Sequence, residues 1–166
     1  MAIEVVRLRE DASEHLDLVA ARMRATLVEV LGRELGESLY SLEWLKDRAA
    51  SHVDGRCTGA IFIAREGAEA TNIGHVIVRE EADDEGPLGL VSTIYVLPEG
   101  RRHGVARRLV DAAHHWFQSR DLHRSATDTS ETNLPLINLL GGLGYEIVFR
   151  SDEKKMVRLM KDARPA

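Results

Sequence analysis

The sequence predicts an α/β fold in which a mixed central sheet carries helices on its faces. Three observations lead there. Segments with strand-like apolar patterning alternate along the chain with segments of three-and-four spacing. The stretch from Leu88 to Arg108 passes from an apolar, β-branched run through a glycine-containing turn into a helix start. And 166 residues, 44% hydrophobic and 30% charged, suit one buried core, so a single domain over 1–166 is expected.

Taken in order, Ile3 to Leu8 alternates and is rich in β-branched residues, which predicts a first strand. Asp11 and Ser13 carry helix-start chemistry, and Leu16, Val19, Ala20, Met23, Leu27 and Val30 then step by three and four. Gly32 and Gly36 are expected to interrupt this helix. A second one is predicted from about Ser38 into Ala50, ending near Asp54-Gly55. Gly59–Ala64, Ile73–Val78 and Leu88–Val96 read as three strands. Between the last two, Arg79–Gly86 is acidic and turn-rich and reads as a solvated loop. Val105, Leu109, Ala112, Ala113 and Trp116 form the apolar face of the next helix, with His114 and His115 expected in solvent. A short strand over Arg124–Thr129, a helix from Asn133 to the terminating Gly144, and a closing hairpin of Glu146–Phe149 and Met156–Met160 complete the chain. The order is strand, two helices, three strands, helix, strand, helix, two strands.

The chemistry-bearing stretch is Leu88–Arg108. Pro98 cannot extend a sheet ladder, so the strand stops there. Gly100 and Gly104 bracket three polar residues before the helix begins at Val105. Strand, glycine turn and helix start together aim free backbone N–H groups at one point, which suits a phosphate. No Gly-Lys-Ser/Thr follows Gly104, so this is not a nucleoside-triphosphate loop, and the three glycines of the dinucleotide fingerprint are missing.

What stands here is Arg101-Arg102-His103-Gly104-Val105-Ala106, after a strand ending Ile94-Tyr95-Val96. This resembles the Arg/Gln-x-x-Gly-x-Gly/Ala acetyl-CoA loop of the GNAT superfamily of N-acetyltransferases, whose element order the chain also follows. The resemblance is strongest from Leu88 to Tyr145. It implies a mostly antiparallel mixed sheet with helices on both faces. It also implies that the strand carrying Ile94, Tyr95 and Val96 splays from its neighbour and pairs its main chain with the pantetheine arm. Arg101, Arg102 and the N–H groups from His103 through Gly104, Val105 and Ala106 to Arg107 would hold the pyrophosphate. Asn133 falls where members often carry a cofactor-touching asparagine, and it also reads as a helix N-cap.

In one respect the chain departs from the family. Members commonly place a tyrosine about four residues before the closing glycine of the last helix, to protonate the departing thiolate. Here that position is Leu140, and Tyr145 matches an aromatic core position instead. Nor is there a glutamate early in the cofactor strand, where Leu90 and Val91 stand. Candidate bases are His75 and Asp128, with Asp84 and Glu85 of the acidic stretch behind them.

The resemblance therefore implies an acetyl-CoA-dependent transferase moving an acetyl group to a primary amine, of a small molecule or a peptide, by direct attack in a ternary complex. The alternatives are another acyl-CoA, or a CoA-binding regulatory module without turnover. No covalent nucleophile emerges, since Cys57 lies outside the motifs, and a lone cysteine offers neither disulfide nor metal cluster. A net charge of −5 argues against a nucleic-acid binder. No apolar run reaches membrane-spanning length and the N-terminus lacks a leader pattern, so a cytoplasmic enzyme needing no metal is expected, with a homodimer as a family-level expectation.

Overall fold

The computed structural model describes residues 2–9, 13–101 and 103–164. Asp11 and Arg102 lie outside them. Strand β1 (Ile3–Arg7) is followed by helices α1 (Ser13–Leu31), α2 (Arg33–Ser38) and α3 (Leu42–Ala50), then by strands β2 (Gly59–Glu66), β3 (Thr71–Asp83) and β4 (Gly86–Val96). Helix α4 (Val105–Ser119), strand β5 (Arg124–Ser130), helix α5 (Leu134–Gly142) and strands β6 (Glu146–Ser151) and β7 (Met156–Asp162) complete it. Seven strands form one sheet in the order β1-β2-β3-β4-β5-β7-β6. Every pairing is antiparallel except β4 with β5.

Period-two alternation on β2 divides the core between the two faces. Ala60 and Ala64 join Val76, Val78 and Val91 under Val105, Leu109, Ala113, Trp116 and Phe117 of α4. Ile61 and Ile63 join Ile77 on the other face, under Leu16 and Val19 of α1 and Ala49 of α3. A third cluster joins α5 to α4 and β7 through Val110, Leu140, Tyr145, Val157 and Leu159.

Four expectations are corrected. The helical stretch expected from Ser38 is divided: α2 ends there, and α3 begins at Leu42, where Ser41 caps it by accepting from the Trp44 N–H at 3.0 Å. Gly32 does end α1, but Gly36 lies inside α2. A Cβ there would meet the Val28 Cα at 2.5 Å, so its role is close approach of two helices rather than a break. The acidic stretch is mostly strand. β3 runs on to Asp83 because its charges find arginines: Glu81 pairs with Arg79, Glu80 with Arg120 and Asp83 with Arg124.

His114 is the fourth. It is half-buried, its Nε2 lies 2.7 Å from the Tyr145 hydroxyl, and its ring stacks on that tyrosine. The same hydroxyl lies 2.7 Å from Ser125 Oγ, and burial pushes the phenol up to about 12. Tyr145→Phe therefore removes a buried junction between α4, β5 and the end of α5. It should lower the unfolding free energy by about 1–2 kcal/mol in urea titrations, with the m-value unchanged.

Candidate active site

The parallel β4–β5 pair covers only Gly89–Ser125, Leu90–Ala126 and Val91–Thr127. Beyond that the strands part. β4 continues to Val96 along β3, while β5 continues to Ser130 along β7. A bulge marks the parting: Ile77 pairs with Thr93 and Val78 with Val91, leaving Ser92 as the extra residue. It reverses the side-chain parity of β4, so that Val91 and then Ile94 and Val96 all pack towards the α4 core, while Tyr95 lies opposite His75 on the α1 face. The result is a wedge-shaped cleft, one wall of which is the edge of residues 92–96, whose outward main-chain groups have no strand partner among the described residues and can bond an extended ligand, apart from the Val96 carbonyl.

At the wide end of the wedge a single 3₁₀ turn, Pro98–Gly100, carries the chain to α4. Arg101 is exposed, and its Nε donates to the Val96 carbonyl at 3.1 Å, which brings the guanidinium to the cleft's mouth. His103 and Arg107 are also exposed. Gly104 caps α4 in the left-handed region, φ 77° and ψ 11°, which glycine adopts without a Cβ penalty. No side chain among the described residues caps the helix. The first intrahelical bond runs from the Arg108 N–H to the Gly104 carbonyl at 3.1 Å, so the N–H groups of Val105, Ala106 and Arg107 have no acceptor within the helix. With the helix dipole behind them they form an anion site at the end of the free edge.

A family model, the acetyltransferase (GNAT) family, matches residues 24–145. The chain belongs to that family. Aminoglycoside N(6')-acetyltransferase type 1 of Klebsiella aerogenes is 30% identical over an alignment of 117 positions that covers 58% of this chain and 77% of that one. Among solved structures, the PaiA N-acetyltransferase from Thermoplasma acidophilum in complex with coenzyme A aligns with a TM-score of 0.75 at 16% identity, covering 98% of this chain and 99% of that one. The NatC complex bound to Gag peptide and CoA aligns at 0.70 and 18% identity, covering 99% of this chain and all of that one. These two share the fold. The protein is an N-acetyltransferase, and acetyl-CoA is its co-substrate.

Within this GNAT chain the remaining candidates separate. Asn133 caps α5, accepting from the Leu136 N–H at 3.4 Å and donating to Thr129 Oγ1 at 3.1 Å, on the β5 side of the cleft. Asp128 stands on the diverging part of β5, its two oxygens accepting from Arg158 Nε and Nη2 at 2.8 and 2.9 Å. Since its neighbours Thr127 and Thr129 pair with Leu159 and Val157, whose side chains face the α4–α5 core, Asp128 points to the α1 face, as Tyr95 does across the cleft. Asp84 and Glu85 lie at the other end of β4, roughly 20 Å from the split at about 3.3 Å per residue, where Arg124 engages Glu85. Leu140, in the place of the family's tyrosine, is 2% exposed core.

His75 is completely buried, and neither ring nitrogen has a hydrogen-bond partner among the described residues. Sequence reading missed what surrounds it. Arg22, 5% exposed, donates from Nη1 and Nη2 to the side chain and carbonyl of Asn72 at 2.7 and 2.8 Å, and its Cζ lies 5.2 Å from the centre of the Tyr95 ring. Tyr95 in turn stacks on His75 at 5.9 Å. An arginine in a helix face reads as a surface charge, so only the odd position of Arg22, three residues after Val19 on the apolar stripe, signalled its burial.

Burial, with Arg22 nearby, holds the His75 pKa down at about 3. The unfolded chain protonates this histidine near 6.5 and the folded chain does not, so stability falls as pH drops from about 6.5 towards 3, by up to about 1.4 kcal/mol per pH unit. His75→Leu should flatten that slope in urea titrations between pH 6.5 and 4. An unchanged slope would show that the acid sensitivity comes from elsewhere.

Proposed function

We propose that this protein is a cytoplasmic enzyme that transfers the acetyl group of acetyl-CoA to a primary amine of a small molecule, by direct attack within a ternary complex. The amine nitrogen bonds to the thioester carbonyl carbon, the C–S bond breaks, the thiolate leaves with CoA and the nitrogen gives up a proton. The observation that carries this reading is the cleft between β4 and β5 opening onto the uncapped start of α4. In it, Arg101, Arg102, His103 and the N–H groups of Gly104 to Arg107 hold the pyrophosphate. The free edge of Ile94, Tyr95 and Val96 pairs with the pantetheine arm, and Asn133 flanks it from β5's side. Main-chain donors on that edge also stabilise the oxyanion that develops on the carbonyl.

The amine enters from the α1 face, where Asp128 and Tyr95 stand on opposite walls. Asp128 is the candidate base an amine can reach, directly or through a water, whereas His75 is sealed. A small-molecule acceptor is favoured by the relatives named as aminoglycoside acetyltransferases. A peptide acceptor is the second reading, supported by likeness of fold to the peptide-bound NatC complex.

Two measurements test this. Arg101→Glu combined with Gly104→Asp puts two negative charges beside the pyrophosphate and should weaken CoA binding by more than about tenfold in calorimetry, with the circular dichroism spectrum retained. Unchanged affinity would contradict the assignment. Asp128→Asn should lower kcat/KM for the amine by about 10²-fold in a free-thiol assay while leaving the KM for acetyl-CoA in place. Binding of CoA with no thiol release on any of an amine panel would instead mark a binding module.

A further inference from the structure

We propose that Thr127 and Arg79 are positioning residues that fix the apex of the cleft, and through it the size of the acyl group the enzyme transfers. This rests on the acetyl-CoA reading above. At the last position β4 and β5 share, the Thr127 hydroxyl donates to the Val91 carbonyl at 2.8 Å, and Thr127 is 3% exposed. One residue on, at the bulge, Arg79 Nη1 donates to Ser92 Oγ at 2.9 Å. Arg79 is itself held: its Nε pairs with Glu81 Oε1 at 2.6 Å, and Nη1 lies 3.5 Å from Nε2 of the buried His52 at the end of α3. Two side chains from different strands thus grip successive residues of β4, one from each side of the parting.

The grip matters because of where it sits. With the diphosphate at the start of α4, the arm runs back along the free edge from Val96 towards Ser92, four residue steps or roughly 13 Å. The thioester end therefore arrives where the strands close, and the closed rung is the floor on which the acyl group rests. Without the Thr127 bond the pair opens by a further residue, the floor drops and the carbonyl loses its fixed distance to the main-chain donors. A misplacement of that kind costs turnover far more than binding, since the diphosphate contacts are unaffected.

The test uses the full-length enzyme. Thr127→Val keeps the shape and removes the donor. It should lower kcat with acetyl-CoA by about tenfold to 10²-fold, leave the calorimetric affinity for CoA unchanged, and raise the propionyl-CoA to acetyl-CoA ratio of kcat/KM. Thr127→Ser, which keeps the hydroxyl, should restore both kcat and the ratio. Ser92→Ala removes the acceptor of the Arg79 bond and should move the same two quantities in the same direction, which gives a reading if the valine variant fails to fold. Wild-type kcat and acyl preference in the folded variants overturns the proposal. So does a loss of kcat that tracks lost CoA affinity, or one that serine does not restore. A wild-type enzyme that binds no CoA would overturn the cofactor reading itself, before the apex is in question.

Discussion

A parallel strand pair that stops after three positions leaves two rows of main-chain groups facing each other across a gap too wide to bond. Such a gap closes or collapses unless each wall is held from outside. Here each is. β4 beyond the split is held by β3, from Thr93 opposite Ile77 to Val96 opposite Gly74. β5 beyond it is held by β7, from Asp128 opposite Arg158 to Ser130 opposite Met156, and by the Asn133 cap of α5 bonding Thr129. The proposed phosphate turn depends on the same divergence, because α4 can begin beside the cleft only if β4 ends at its mouth.

Behind the β4 wall lies an unusual share of unpaired polarity. Arg22 Nε and both nitrogens of His75 are buried without a partner among the described residues, and both side chains pack against Tyr95. Burying a guanidinium costs several kcal/mol unless contacts offset it. Two charge-assisted bonds to Asn72, at roughly 1.5–3 kcal/mol each, and a desolvated cation–π contact of about 2 kcal/mol are of the right size to do so. Arg22 thereby ties α1 to the strand that forms the cleft's wall. His75 has no such offset. It is accommodated only as a neutral ring, which is why its proton affinity is depressed rather than raised for use.

The strand, turn and helix start of the proposed cofactor loop were legible because their signals are local. A β-branched run, Pro98, and glycines at 100 and 104 each restrict the backbone by their own covalent structure, whatever surrounds them. What was illegible depended on partners distant in sequence. The acidic run reads as a loop until Arg120 and Arg124 are brought beside Glu80 and Asp83, some forty residues away. His114 reads as solvent-facing until Tyr145 folds over it. The bulge left a fainter trace: Val91, Ile94 and Val96 share a face although the first two are three residues apart, and an odd step within one face means one extra residue.

The order of proton costs then decides which missing group matters. A thiol with a pKa near 8.5 is already the stable form at pH 7 by roughly 2 kcal/mol, so a leucine at position 140 withholds an acid that solvent can supply. An alkylamine near 10.4 must spend about 4–5 kcal/mol to be neutral at that pH. Handing its proton to a buried imidazole with a pKa of about 3 would be uphill by roughly 10 kcal/mol. Release to solvent is cheaper by half, so the carboxylate on the open wall serves to draw in the ammonium and to orient the water that carries its proton away. On the proposed mechanism the demanding step belongs to the α1 face of the cleft, where Asp128 is exposed, and the interior behind Tyr95 holds the wall still.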